Sequence, residues 1–338
     1  MDKLSIVIPV YYNELNIPYL YPKIKEVINT DMFEVELIFV DDGSGDNSYK
    51  ELLKLREKDN RIKIIKLSRN FGSHIAILAG LSYATGDCVT VISADLQDPP
   101  EIILSMFKKW KEKNKVVLAV RQDREESWIQ KKLSNTYYKL MKKIALPNMP
   151  EGGFDCFLID RQVVDVLNNM KEKNSTIMGQ ILWSGFKTEK IYYVRKKREI
   201  GKSRWTFSKK MKLFIDSFLA FSYFPIKFIS VFGVLISFVG FISAVVVFMN
   251  KVLNDIPVQG WTSLMIVILL LSGVQLITLG IIGEYLWRNF DATRERPIFI
   301  IDKKVGFHNK INKNDVRCDL VHKEICLDDD KIIENDIG

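Results

Sequence analysis

The stretch "VTVISADLQDPPE" (residues 89–101) decides the fold. It begins as an apolar, β-branched run and ends in acids, an amide and two prolines. A segment that buries Val89, Val91 and Ile92 and then meets Asp95, Gln97 and Asp98 reads as an interior strand whose carboxyl end opens into a polar site. Asp98, directly before Pro99 and Pro100, has the position of an N-cap for the helix predicted over "EIILSMFKKW", which leaves Asp95 for the opening.

The same plan recurs upstream. "LSIVIPVY", "VELIFVDDGS" and "RIKIIKLS" are apolar runs that end in polar loops, separated by the helical stretches "NIPYLYPKIKEVIN" and "NSYKELLKLREKD". Strands alternating with helices predict an α/β domain with an open, mostly parallel sheet covered by helices on both faces. Ligands of such sheets gather beyond the carboxyl ends of the strands. Those ends carry Tyr11, Asn13 and Glu14, then Asp41 and Asp42, then Arg69 and Asn70, then Asp95 and Gln97. Carboxylate and amide oxygens suit a hard divalent cation, and magnesium is commonly held by one or two carboxylates plus substrate phosphates. "VDDGSGDNS" holds more acids than a helix cap consumes. Arg69 reads equally as a site cation or as an anchor for that loop.

The hydrophobicity is unevenly spread. Residues 228–250 and 256–283 contain no charge, runs of 23 and 28 residues, and a bilayer core takes ~20. Both are expected to span a membrane. The net charge of +8 is concentrated in residues 187–227, where twelve Lys or Arg stand against Glu189, Glu199 and Asp216. A basic block before a spanning helix marks the cytoplasmic side and favours anionic headgroups, so no nucleic-acid partner is expected. "KVLNDIP" balances Lys251 against Asp255, as expected outside, and Arg288, Arg294 and Arg296 return the chain to the cytoplasm. The start, "MDKLSIVIPVYYNE", does not read as a signal peptide. Cys88, Cys156, Cys318 and Cys326 have neither disulfide nor zinc spacing, which fits a reducing compartment.

Two further helices are expected: an amphipathic basic one over 127–146, and one with Phe207, Met211, Phe214, Phe218 and Phe221 on a single face, suited to lie at a membrane surface or to pack on the sheet. The tail from Asp302 is polar and expected to be partly disordered. Glycines seven apart in the spanning helices (Gly233 and Gly240, Gly273 and Gly280) permit close helix contact within or between chains.

The ordered set "IPVYYNE", "VDDGSGDNS", "LSRNFG", "SADLQDPPE", "GGFDCFLIDR" and "REIGKSRWTF", followed by two membrane helices, resembles glycosyltransferase family 2, above all the bacterial polyprenyl-phosphate glycosyltransferases, and is similar to dolichol-phosphate mannose synthase. The resemblance covers about residues 3 to 300. It implies a GT-A, Rossmann-like catalytic domain over 1–200, a basic juxtamembrane region over 201–225, two transmembrane helices within 226–288 (about 228–250 and 258–283) and a cytoplasmic tail over 289–338.

By position, Pro9, Tyr11, Glu14, Asp41, Asp42, Arg69 and Asp95 are implied to bind the nucleotide sugar, with Asp42 accepting from the base edge. Asp95 and Gln97 match the metal-binding part of the family's acid-x-acid-x-Gln motif, for Mg2+ or Mn2+. Ser93 replaces the first acid, and one charge is lost. Arg121, Lys132, Ser134, Arg198 and Arg204 lie where such enzymes hold the acceptor phosphate, and Asp155 aligns with the acid proposed as base. Asp160 fits the following helix cap better than Asp155 does. The implied reaction is inverting, metal-dependent transfer of a sugar from a nucleotide sugar, for which the resemblance favours a UDP-hexose, to polyprenyl (undecaprenyl) phosphate. It would serve cell-envelope glycan modification at the bacterial inner membrane, with both termini cytoplasmic and a homo-oligomer, a tetramer by resemblance. Two alternatives are kept. One is a processive polysaccharide synthase, against which Gly201 stands where that group has Gln. The other is a non-catalytic membrane scaffold with a sugar-nucleotide-binding head, which Ser93 favours.

Overall fold

The computed structural model describes residues 1–123, 136, 138–143, 145–170, 172, 175–196, 216, 219–222, 224–254 and 260–307. The chain divides into two compact units, Met1–Ser217 with the segment from Arg296 onward, and Phe218–Glu295.

In the first unit the expected alternation is present as β1 (Lys3–Val10), α1 (Ile17–Ile28), β2 (Glu34–Asp41), α2 (Ser48–Lys58), β3 (Ile62–Leu67), α3 (Ser73–Tyr83), β4 (Cys88–Val91) and α4 (Ile102–Lys111). β5 (Val116–Asp123), β6 (Phe154–Asp160), α5 (Arg161–Asn169), α6 (Ile177–Trp183), β7 (Thr188–Val194) and, after the second unit, β8 (Ile301–Val305) complete it. One eight-stranded sheet runs in the order β7-β5-β6-β4-β1-β2-β3-β8. β3, β2, β1 and β4 are mutually parallel, as is β5 with β7, whereas β6 runs antiparallel to β4 and β5, and β8 to β3.

The interior strands read as apolar runs because both faces are covered: β2 from Glu36 to Asp41 and all of β4 are buried. α3 lies against β1 closely enough that a Cβ on Gly80 would come within 2.3 Å of a Val7 methyl. At the amino ends of the strands, Glu36 is buried and accepts from Ser5 Oγ at 2.5 Å, the Thr85 amide at 2.5 Å and Lys63 Nζ at 2.7 Å. A buried carboxylate needs this many donors to offset its lost hydration.

β8 adds to the reading of the tail: its first residues form an edge strand, with Ser68 N donating to Ile300 O at 3.0 Å. Lys303 and Lys304 along it discourage further strand pairing.

The second unit consists of α7 (Phe224–Asn254) and α8 (Trp261–Thr293), joined by residues mostly outside the described set. At about 1.5 Å per residue each exceeds the ~30 Å hydrocarbon core. The candidate spans Ile226–Ser243 and Leu270–Thr293 are unburied and apolar, so the helices are long and greasy enough to cross a membrane. A Cβ on Gly233, Gly240, Gly273 or Gly280 would meet nothing within 4 Å, so contact between these two helices of one chain does not depend on those glycines.

Candidate active site

The chain runs β1, β2 and β3 to one side of β1 and then returns to place β4 on the other, so the sheet has its switch point between β1 and β4. A crevice at the carboxyl ends of these two strands follows from that crossover. The antiparallel β6 brings its amino end there, and β5 and β7 bring their carboxyl ends, because Val91 faces Phe157, Val120 faces Phe154 and Arg121 faces Tyr193.

The strand-end loops of β1, β2 and β3 are tied to one another. Tyr12, at φ 55°, donates its amide to Ser44 Oγ at 3.0 Å, and Tyr11 and Tyr12 pack edge to face. Gly43 sits at φ +66° with its Cα hard against the backbone of Arg69, where a Cβ would come within 2.4 Å of a carbonyl carbon. Only glycine satisfies both demands. The Arg69 side chain is exposed and its guanidinium lies 4.6 Å from the Phe71 ring centroid. Among the described residues Arg69 therefore meets the "DDGS" loop through its backbone and not through its guanidinium.

Asp42 is buried, and its two oxygens accept the amides of Phe71 and Gly72 at 2.7 and 2.9 Å, just ahead of α3. Glu14 accepts the Asn47 amide at 2.9 Å, which uses it to start α2. Asp41 is fully buried and takes the Ser44 amide at 3.0 Å on Oδ1, while Oδ2 has no hydrogen-bond partner among the described residues. Burial raises its carboxyl above the usual range, only partly offset by Ser44 and Lys66. Pro9 and Tyr11 are half-buried at the end of β1.

The turn after β4 is held by Leu96, buried although at φ 61°. This turn corrects the reading of Asp98. Glu101 is the N-cap residue of α4 and makes no side-chain cap, while Asp98 is buried and accepts from Ser93 Oγ and Tyr193 Oη, both at 2.6 Å. Burial opposes its charge, yet Arg195, Ser93 and Tyr193 hold its carboxyl below the usual range. Ser93 also reaches Asp95 Oδ1 at 2.8 Å, and Asp95 accepts the Gln97 amide at 3.2 Å.

Across the crevice, the register of β6 skips Asp155, since Ala119 faces Cys156 and Val120 faces Phe154. Such shifts re-aim side chains beside functional sites. Asp155 Oδ2 pairs with Arg121, a buried guanidinium whose Nε has no acceptor among the described residues, and lies 3.5 Å from Arg195. The preceding Gly152 and Gly153, at φ +99° and +65°, let the chain pass the Arg121 carbonyl and the Tyr138 ring. As expected, Asp160 rather than Asp155 caps the next helix, accepting the Gln162 amide at 3.1 Å.

Arg195 was visible only as one member of the basic block. It follows β7 and faces Asp95, Asp98 and Asp155 at 3.5–3.6 Å. Burial works against its charge, but Asp98 and Asp95 more than offset that and raise its pKa. Its signal lay in its position: Arg195 stands directly after a strand, the rule that singled out Asp95.

Lys132, Ser134, Arg198 and Arg204 lie outside the described residues, as does most of the two amphipathic segments. No group of three or more His, Cys, Asp or Glu among the described residues is arranged to hold a metal. Asp95 and Gln97 nevertheless fit half of a magnesium or manganese site. Gln97 Nε2 donates to Lys196 O at 3.2 Å, so its carbonyl oxygen is the atom left for a cation. Two oxygen donors need substrate phosphates to complete the shell.

The family model for glycosyl transferase family 2 matches residues 5–167. The chain is 42% identical over 307 residues to the uncharacterized glycosyltransferase YkcC of Bacillus subtilis (strain 168), covering 90% of this chain and 95% of that one. It is 34% identical over 302 residues to the prophage bactoprenol glucosyl transferase homolog of Escherichia coli (strain K12), covering 89% and 99%, and equally to the bactoprenol glucosyl transferase of Shigella phage SfII, covering 89% and 98%.

Proposed function

The chain belongs to glycosyltransferase family 2, and on that premise we propose that it transfers a hexose from a UDP-linked donor to the phosphate of a polyprenyl lipid, with inversion, at the inner face of a bacterial cytoplasmic membrane. The acceptor class comes from the relatives called bactoprenol glucosyl transferases, which this chain matches over nearly their whole length. The observation that carries the reading is the meeting, at the carboxyl end of β4, of a cation half-site (Asp95, Gln97) with an acid flanked by two guanidiniums (Asp155 with Arg121 and Arg195). A diphosphate leaving group suits the first, and an anionic acceptor and a sugar suit the second.

The donor's nucleoside lies between the loops of β1, β2 and β3, with Pro9 and Tyr11 against the base. Asp41 Oδ2, without a hydrogen-bond partner among the described residues, is the acceptor for its N–H, and Asp42 holds the neighbouring backbone in place. When bound, Mg2+ or Mn2+ supplies positive charge to the departing diphosphate. The lipid phosphate is already an anion, so little base catalysis is needed; what the chain must do is bring two anions together. Arg121 offers for that purpose a buried Nε–H that has no acceptor among the described residues. Among the described residues both guanidinium contacts of Asp155 fall on Oδ2, which leaves Oδ1 for a sugar hydroxyl. Lys132, Ser134, Arg198 and Arg204 are proposed to complete the acceptor-phosphate site.

The two apolar helices and the +9 segment before them suit an enzyme whose substrate stays in the bilayer. The proposed topology has both termini cytoplasmic, and the proposed assembly is a homo-oligomer. The test is purified full-length protein in detergent with undecaprenyl phosphate, Mg2+ or Mn2+, and a panel of labelled nucleotide sugars. One UDP-hexose is expected to yield organic-extractable label, abolished by chelation. No extractable label from any donor would overturn the proposal.

A further inference from the structure

Each of the three guanidinium nitrogens of Arg195 faces a different carboxylate: Nη2 is 3.6 Å from Asp95, Nε 3.5 Å from Asp98 and Nη1 3.5 Å from Asp155. These separations are longer than charge-assisted hydrogen bonds, so the group acts as an electrostatic hub rather than a locked fork. The three acids differ in depth. Asp98 is fixed by Ser93 and Tyr193 and shows no exposed side-chain surface, whereas Asp95 and Asp155 are 13% and 36% exposed. Asp98 is thus the anchor of Arg195, and the other two are its movable partners.

Resting on the reading above, in which Asp95 belongs to a cation half-site and Asp155 meets the sugar, we propose that Arg195 is a positioning residue that holds Asp155 in register and competes with the divalent cation for Asp95. Without the cation the guanidinium neutralises Asp95 Oδ2. A contact of 3.6 Å can be given up while the tie to buried Asp98 persists, so the two cations share one carboxylate in turn. The same hub then joins occupancy at the end of β4 to the position of the acid on β6. Only a planar three-nitrogen group reaches all three acids; a lysine supplies the charge without the fork.

The experiment uses full-length protein in detergent with UDP present. Mn2+ is titrated and free Mn2+ is read by electron paramagnetic resonance, and transfer kinetics are measured with the donor that wild type accepts. Removing the competing charge in Arg195→Gln is expected to tighten Mn2+ binding about tenfold while kcat falls at least tenfold and donor KM stays within about twofold. Arg195→Lys restores the charge, so its Mn2+ affinity is expected to return to the wild-type value while kcat remains low. A residue that only supports the fold would weaken both together. Mn2+ affinity that is unchanged or weaker in Arg195→Gln, or as tight in Arg195→Lys as in Arg195→Gln, overturns the inference. A wild type that binds Mn2+ and transfers sugar while Arg195→Gln fails this pattern removes the hub alone. A wild type that does neither removes the underlying reading with it.

Discussion

Glu36 offers a quantitative test of how the sheet that carries the site is held together. Burial alone would push its carboxyl up, but Lys63, Ser5 and the Thr85 amide outweigh that and bring it from 4.5 down to about 2. A folded-state value below the unfolded one contributes stability that is fully present above about 4.5 and is lost as the pH falls through about 2. At about 1.4 kcal/mol per tenfold change in proton affinity, the contribution at neutral pH is about 3 kcal/mol. In a unit of this size that corresponds to an apparent Tm roughly 6–12 °C lower for Glu36→Gln at pH 7. The same linkage leaves only about half of the difference at pH 3. Thermal unfolding of the full chain in detergent, followed by circular dichroism from pH 7 to pH 3, reads both numbers. A gap that stays constant across that range would show that the loss is one of packing and refute the electrostatic account.

Two substitutions test the site more directly. Asp95→Ala removes the carboxylate of the cation half-site, and transfer is expected to fall at least a hundredfold with the apparent Tm nearly unchanged; unaltered turnover in the extraction assay would take Asp95 out of the site. Gly152→Ala puts a Cβ within 2.6 Å of the Arg121 carbonyl at φ +99°, so a loss of about 1–3 kcal/mol is expected together with slower transfer, because Arg121 and the Asp155 segment must separate. A variant as stable and as active as wild type would show that this close approach is dispensable.

What was legible in the sequence is what local chemistry dictates. Apolar runs that stop at Tyr11, Asp41, Arg69 and Asp95 announced parallel strands with a polar rim, because a strand buried on both faces can place charge only at its ends. Hidden were the features that depend on strand order. Nothing local in "GGFDCFLIDR" states that β6 runs antiparallel between β4 and β5, or that its register skips Asp155. Asp98 reads locally as a cap because the following prolines make that the local solution; β7 lies far off in sequence, and its Tyr193 and the adjoining Arg195 change the outcome. Glu14 and Asp42 look alike as strand-end acids, and only the fold shows both accepting backbone amides. The short strand β8 was masked by its position after the spanning helices, where "IDKKV" reads as the start of a polar tail.

The exchange of an acid for Ser93 now has a physical setting. Its hydroxyl lies 2.8 Å from Asp95 Oδ1 and 2.6 Å from Asp98 Oδ2, between two carboxylates that would otherwise face each other. A single O–H can donate to only one of them at a time, so Arg195 must neutralise what the serine leaves over. An acid at position 93 would set three carboxylates side by side with Asp98 unable to reach water. Ser93→Asp is therefore expected to move two quantities in opposite directions. Mn2+ binding in the presence of UDP strengthens about tenfold, because a second hard anionic ligand joins the half-site, while the apparent Tm without metal falls, because like charges crowd a buried neighbour. Saturating Mn2+ should recover that Tm, since an ion that binds only the folded state stabilises it by mass action. Tighter metal binding without the metal-free destabilisation would mean that Asp98 does not feel position 93. Destabilisation that Mn2+ fails to reverse would separate position 93 from the cation site.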